Sequence, residues 1–227
     1  RAIKAGATDF IPKPWEKEKL LATLSSGMKL RRSRTEINLL KEQVEVLSNV
    51  TAGGSEEIII GDSPVMQQVF STVEKLRDTD ANILILGENG TGKDVIARLL
   101  YRNSPRYGKP FVTIDLGSIP EQLFESELFG YEKGAFTDAR KAKAGRMEVA
   151  TGGTLFLDEI GNLSLPMQAK LLTAIEKRCI SRLGSTQATP IDVRLICATN
   201  ADIRRLVDEG DFRQDLLYRI NTIELHI

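Results

Sequence analysis

Histidine is nearly missing from this sequence: His226 is the only one in 227 residues. A histidine-centred triad, proton relay or metal cage therefore has no material, and any catalysis falls to carboxylates, lysine and arginine. Cysteine is almost as scarce. Cys179 and Cys197 stand apart, without metal-ligand spacing, and read as small buried hydrophobes in a reducing compartment. An excess of one charge is lacking too, since 31 Lys and Arg balance 31 Asp and Glu, so bulk charge gives no argument for nucleic-acid binding. No apolar run approaches the roughly 18 residues that a membrane span needs. Arg1-Ala2-Ile3-Lys4 leads straight into a folded-looking pattern rather than a secretory leader. The expectation is a cytoplasmic globular protein without membrane attachment, long enough for one sizeable domain and something smaller.

What the sequence does hold is a pair of short runs about sixty residues apart. Gly87-Glu88-Asn89-Gly90-Thr91-Gly92-Lys93-Asp94 follows an apolar stretch, Ile83 to Leu86, and precedes a helical pattern of Val95, Ile96, Leu99 and Leu100. A glycine-rich loop between a buried strand and a helix N-terminus is a phosphate cradle. Glycines let backbone N–H groups turn toward the ligand, the helix end adds partial positive charge, and Lys93 reaches the outer phosphates. A glycine loop by itself also marks ordinary turns. Thr154-Leu155-Phe156-Leu157-Asp158-Glu159 supplies the second half, an apolar strand ending in two carboxylates that can hold Mg2+ and polarise a water. Together the runs read as an ATPase. The position after the lysine usually carries a Ser or Thr hydroxyl for the metal; here it is Asp94, so the metal shell differs in detail.

Three segments follow from the patterning. Residues 1–26 contain a helix end, a Gly6 stop, a short strand from Asp9 to Pro12, the turn Lys13-Pro14-Trp15 and a helix beginning near Glu16. Residues 27–57 form a helical linker and loop. Leu30, Ile37, Leu40, Val44 and Leu47 make a stripe that suits either a short coiled coil between two copies or a face packed on its own domain. Ser48 to Glu57, with Gly53-Gly54-Ser55, reads as flexible. From residue 58 onward, strands expected at Ile83 to Leu86, Phe111 to Ile114, Thr154 to Leu157 and Val193 to Cys197 alternate with helices. That alternation predicts an α/β fold, a parallel sheet covered by helices on both faces, with ligand at the carboxyl ends of the strands.

Glu127-Leu128-Phe129-Gly130-Tyr131-Glu132-Lys133-Gly134-Ala135-Phe136-Thr137-Asp138-Ala139 resembles the GAFTGA loop of bacterial enhancer-binding proteins, the NtrC family of AAA+ activators of sigma-54 RNA polymerase. The resemblance runs from Ile59 to the last residue. It implies the three-layer AAA+ P-loop NTPase core, and a loop whose Phe136 and Thr137 contact the sigma factor. Asp138 stands where the family usually has glycine. Gly87 to Lys93 resembles Walker A. Asp158 and Glu159 resemble Walker B, which makes Asp158 the Mg2+ ligand and Glu159 the residue that activates water. Asn200, in Ala198-Thr199-Asn200, resembles sensor I. Phe212-Arg213-Gln214-Asp215-Leu216-Leu217-Tyr218-Arg219 resembles the arginine-finger segment, so Arg213 and Arg219 would enter the neighbouring subunit's site; taken alone, both arginines also read as surface ion pairs. Asp115 falls where the family often places an asparagine that restrains the Walker B glutamate.

Ala5-Gly6-Ala7-Thr8-Asp9-Phe10-Ile11-Pro12-Lys13-Pro14 resembles the end of a two-component receiver domain, a flavodoxin-like fold, in which Lys13 pairs with a phosphorylated aspartate. The family relation implies further partners: a sensor histidine kinase acting on a complete receiver, a ring of identical subunits, and DNA bound through a C-terminal domain that lies beyond Ile227, as does a helical lid. The expected function is an ATP-dependent two-component regulator that remodels sigma-54 holoenzyme. Two alternatives stay open at this point: a nucleotide-gated oligomeric module with little hydrolysis, and an AAA+ remodeller of another protein.

Overall fold

The inner strands of the main sheet carry short apolar runs, and helices between them place apolar residues against that sheet. The computed structural model describes Lys13, residues 16–52 and residues 63–227. The elements in chain order are α1 (Lys17–Ala52), α2 (Pro64–Lys75), β1 (Ile83–Leu86), α3 (Lys93–Arg102), β2 (Phe111–Asp115), α4 (Glu121–Phe129), β3 (Gly130–Tyr131), β4 (Lys143–Ala144), α5 (Arg146–Val149) and β5 (Thr154–Asp158). A 3-10 turn (Ile160–Asn162) then leads to α6 (Leu165–Lys177), β6 (Cys179–Ser181), β7 (Ala188–Pro190), β8 (Arg194–Thr199), α7 (Ile203–Glu209), α8 (Gln214–Ile220) and β9 (Ile223–His226).

The chain divides into two units, Arg1–Val44 and Glu45–Ile227. Helix α1 begins in the first unit and is a single helix of 36 residues that runs through Ser25-Ser26-Gly27, where the sequence reading separated two segments. It also continues to Ala52, so the stretch expected to be flexible from Ser48 is helical for its first five residues. Met28, Leu30, Ile37, Leu40 and Val44 are exposed on α1. The expected strand Asp9 to Pro12 and the Gly53-Gly54-Ser55 loop lie outside the described residues.

In the second unit, five strands form one parallel sheet in the order β2-β5-β8-β1-β9. Ile83, Leu84 and Ile85 of β1 are fully buried, as are Leu155 and Leu157 of β5 and Ile196, Cys197 and Ala198 of β8. Strands buried on both faces explain why these segments read as continuous apolar runs rather than alternating ones. Because successive side chains alternate, Ile83, Ile85, Phe156, Ile196 and Ala198 share a core with Val69 and Val73 of α2 and Ile96, Ala97, Leu100 and Tyr101 of α3. On the opposite face α6 and α8 pack on each other, and α8 packs on β8. The result is three layers, as expected. Burial pushes the Cys197 thiol up to about 12, which fits its role as a core atom; Cys179 is half-buried.

Strand β9 was not among the expected strands. It is an edge strand beside β1 that alternates, with Leu225 buried and His226 exposed, so it lacks the continuous apolar signal of the inner strands. Two small antiparallel ladders, β3 with β4 and β6 with β7, are also additions to the sequence reading.

Candidate active site

The glycine-rich loop leaves β1 at Gly87 and enters α3 at Lys93. Gly92 caps α3 at φ 86°, a left-handed conformation that costs a Cβ-bearing residue roughly 1–2 kcal/mol. At Gly87 a Cβ would lie 2.8 Å from Ile227 and 2.9 Å from Thr91 Oγ1, so only glycine fits the close approach of the two chain segments. Thr91 Oγ1 donates to Glu88 O at 2.9 Å and closes the loop on itself. The Gly87 N–H donates to Thr199 O at 3.3 Å, which fastens the loop to the end of β8.

Lys93 is buried although it carries a charge, 7% exposed. Its Nζ donates to Gly87 O at 3.1 Å and Glu88 O at 3.0 Å, and stands 4.0 Å from Glu159 Oε1. This is the contact that joins the two runs. The loop follows β1 and the carboxylates end β5, with β8 between them, so the site bridges three strands at their carboxyl ends.

Asp158 is the last residue of β5, and its Oδ1 accepts the Glu159 N–H at 3.0 Å. Burial holds its carboxyl above the ordinary range; the Glu159 N–H and Lys93 act in the opposite sense, and the charges of Asp115 and Asp94 reinforce the rise. Glu159 adopts φ 54° and ψ 46°, and with Arg178 it is one of two non-glycine residues at positive φ among the described residues. Strain of this kind costs about 1–3 kcal/mol and persists where the surroundings impose it. Here the strand ends at Asp158 and the 3-10 turn begins at Ile160, so Glu159 alone absorbs the change of direction.

Register places the remaining candidates. Asp115 is opposite Asp158, and Leu86 is opposite Thr199, which brings the exposed Asn200 to the same edge as the glycine loop. Asp115 Oδ1 accepts the Gly117 N–H at 2.9 Å, an Asx-type turn within its own loop. Among the described residues no cluster of three or more His, Cys, Asp or Glu side chains forms a metal cage. The donor set suits Mg2+ nonetheless, because that ion is commonly held by one or two carboxylates plus substrate phosphates. Asp158 is placed to be the carboxylate, and Asp94, exposed in the first turn of α3, is near enough to influence it.

Arg213 and Arg219 are not gathered into this cluster. Arg213 precedes α8 and binds Asp215 with both ends of its guanidinium, at 3.0 and 2.6 Å; the side chain is 41% exposed. Arg219 lies 3.7 Å from Glu176 and is also exposed. The surface ion pairs anticipated for isolated arginines are therefore present within the subunit.

Phe136 and Thr137 are exposed on the loop between β3 and β4. Phe136 packs edge-on against Tyr131, with ring centroids 4.9 Å apart. The loop is closed by Gly134 N–H to Ala139 O at 2.8 Å and Ala139 N–H to Phe136 O at 3.0 Å. Asp138 is not among the residues at positive φ, so this loop conformation does not require glycine there. The loop base is fastened to the segment after β6: Glu132 N–H donates to Leu183 O, Leu183 N–H donates to Gly130 O, and Arg182 joins Glu148 at 2.6 Å and Glu132 at 3.4 Å. Sequence reasoning missed this ion network, whose members lie 34 and 50 residues apart. Lys13 is exposed, and residues 1–12, 14 and 15 of its expected receiver segment lie outside the described residues.

Residues 59–226 match the family described as Sigma-54 interaction domain. The chain belongs to that family. A sigma-54 interaction domain is an AAA+ P-loop NTPase, and the five-stranded parallel sheet with its glycine loop has that architecture. The domain's relatives include the C4-dicarboxylate transport transcriptional regulatory protein DctD of Pseudomonas aeruginosa, 43% identical across 100% of this chain and 48% of DctD. The transcriptional regulatory protein ZraR of Klebsiella oxytoca is 44% identical across 99% of this chain and 48% of ZraR. The DNA-binding transcriptional regulator NtrC of Salmonella typhimurium is 40% identical across 100% of this chain and 46% of NtrC. The chain thus spans about half the length of these relatives. Among solved structures, NtrX of Brucella abortus in complex with ATP aligns over 100% of this chain and 46% of NtrX, with 30% identity and a TM-score of 0.70. No helix among the described residues is long and apolar enough to cross a membrane.

Proposed function

We propose that this domain hydrolyses ATP at a site shared between neighbouring subunits and uses turnover to press the Phe136-Thr137 loop on sigma-54 RNA polymerase. The observation that carries the reading is the meeting of Lys93 with Glu159 at 4.0 Å, beside Asp158, from runs about sixty residues apart. The glycine loop and the α3 N-terminus bind the phosphates, Lys93 neutralises the outer ones, and Glu159 accepts a proton from the attacking water while orienting it. Asn200, on the same edge, senses the outer phosphate. Mg2+, when bound through Asp158 and the phosphates, neutralises charge on the nucleotide. The NtrX complexes with ADP and ATP support the choice of nucleotide.

Charge developing on the transferred group needs a further cation. Lys93 is the cation within the pocket, while Arg213 and Arg219 are exposed and can be lent to a neighbour; such fingers contribute about 10³–10⁵ in rate. A ring of subunits follows from that arrangement. The regulators among the relatives support placing the domain in a two-component transcriptional regulator, with Lys13 in the receiver's phosphate-sensing position, a sensor histidine kinase upstream and DNA contacts made by a further domain.

The deciding measurement is ATP turnover against protein concentration for the full-length protein, with Glu159→Gln and Arg213→Ala beside it. Specific activity should rise with concentration and collapse in both variants, by at least about 10³ for Arg213→Ala. ATP binding with flat, negligible turnover would instead identify a nucleotide-gated assembly module. Normal turnover without sigma-54 engagement would identify a remodeller of another protein.

A further inference from the structure

Gln168 is fully buried in α6, and its side-chain amide touches two functional segments at once. Nε2 donates to Leu163 O at 2.7 Å and to Asp211 O at 2.9 Å, while Oε1 accepts the Arg213 N–H at 2.8 Å. Both amide donors and one acceptor position are thereby engaged. Leu163 closes the turn that starts at Glu159: Asn162 N–H donates to Glu159 O at 3.0 Å and Leu163 N–H to Ile160 O at 3.4 Å. On the other side, Asp211 and Arg213 bracket Phe212, which is 2% exposed and anchors the segment leading into α8.

We infer that Gln168 is a positioning residue that ties the strained Glu159 turn of one subunit to the Arg213 finger that the same subunit lends to its neighbour. The inference rests on the reading of Arg213 as a trans-acting cation. A buried amide suits this task for a physical reason. It cannot follow one segment without giving up a backbone partner on the other, so a shift of the Leu163 carbonyl moves the amide or breaks a bond in low-dielectric surroundings. The Glu159 turn and the Arg213 backbone are consequently mechanically linked through one side chain. A change in one active site thereby reaches the next site around the ring without passing through the exposed surface.

The test uses Gln168→Met, which loses all three bonds, and Gln168→Glu, which keeps the acceptor for Arg213 but loses both donations as a carboxylate. In the full-length protein, both should bind a fluorescent ATP analogue with wild-type affinity while turnover falls by about tenfold to a hundredfold, the scale of a small misplacement of a catalytic group. Mixing Arg213→Ala subunits with Glu159→Gln subunits should recover turnover that neither has alone, because the former keep an intact site and the latter lend an intact finger. Gln168→Met should behave otherwise, because it loosens both ends in one subunit: mixed with Glu159→Gln, which lends an intact finger, or with Arg213→Ala, which keeps an intact site, it should leave turnover below that of the Arg213→Ala and Glu159→Gln mixture. Should Gln168→Met fail to fold in thermal unfolding, Gln168→Glu, which releases the Leu163 and Asp211 carbonyls, takes its place in both mixtures. Folded variants with unchanged turnover, or recovery to the level of the reference mixture in either Gln168 mixture, would overturn the inference, because at most one end would then depend on Gln168. If Arg213→Ala is fully active, the shared-site reading falls and takes this inference with it.

Discussion

Glu159 carries two burdens at the scale of a single residue: a carboxylate aimed at the site and a backbone in the left-handed region. Glycine relieves the second burden and removes the first. Glu159→Gly should therefore be more stable than Glu159→Ala by about 1 kcal/mol in urea unfolding, although both abolish hydrolysis. Equal stability of the two would show that the backbone there is unstrained in solution. Lys93 is held by two carbonyls of its own loop and by proximity to Glu159, so its removal empties the cradle of its cation. Asp80 offers a pH test away from the site. Its side-chain bonds to Arg106 hold its carboxyl below the usual range, against the effect of burial. A lowered folded pKa means that the contribution is present above the unfolded value of about 3.9 and is lost as pH falls through the folded value. The difference in urea midpoint between wild type and Asp80→Asn should change little from about pH 7 to about pH 5, which lies above that value, and shrink in stronger acid.

Among elements, the β3–β4 loop depends on a neighbour that is remote in sequence. Arg182, 8% exposed, and Glu148, 5% exposed, form a buried pair joined by two hydrogen bonds. Removing one partner leaves the other buried without compensation, a loss of about 3–5 kcal/mol. Arg182→Ala should lower unfolding stability by that amount, whereas Arg182→Met combined with Glu148→Leu should recover most of it. Failure of the double variant to recover would mean that the pair fixes the loop base rather than merely cancelling charge. The loop motif itself was legible as a run of residues. Its support was not, because Glu132, Glu148 and Arg182 follow no common period and meet only when the segment after β6 bridges to β3 through Leu183 and Tyr131. Edge strand β9 was missed for a related reason: one face of it packs on the core while the other carries polar residues, so its signal resembles an exposed loop.

For the whole molecule, the sheet order decides where chemistry is possible. The glycine loop and the acidic strand end flank β8, so damage to β8 should disturb both at once. Leu195→Ala, at a position 2% exposed, should cost about 2–5 kcal/mol in unfolding free energy. It should also weaken nucleotide binding, read by titration with a fluorescent ATP analogue; intact affinity in a destabilised variant would show that the loop and the carboxylates are held independently of β8. The sequence by itself determined the local parts: four of the five strands of the main sheet, the strand–loop–helix cradle, the acidic strand end and the exposed loop. Each is written in contiguous residues whose periodicity or backbone freedom is a local property. Only the tertiary structure decided which parts meet. The 4.0 Å approach of Lys93 to Glu159 and the bridge of Gln168 between Leu163 and Arg213 arise from strand order and close packing. Contacts between residues far apart in the chain leave no repeating pattern along it, and a single buried amide leaves none at all.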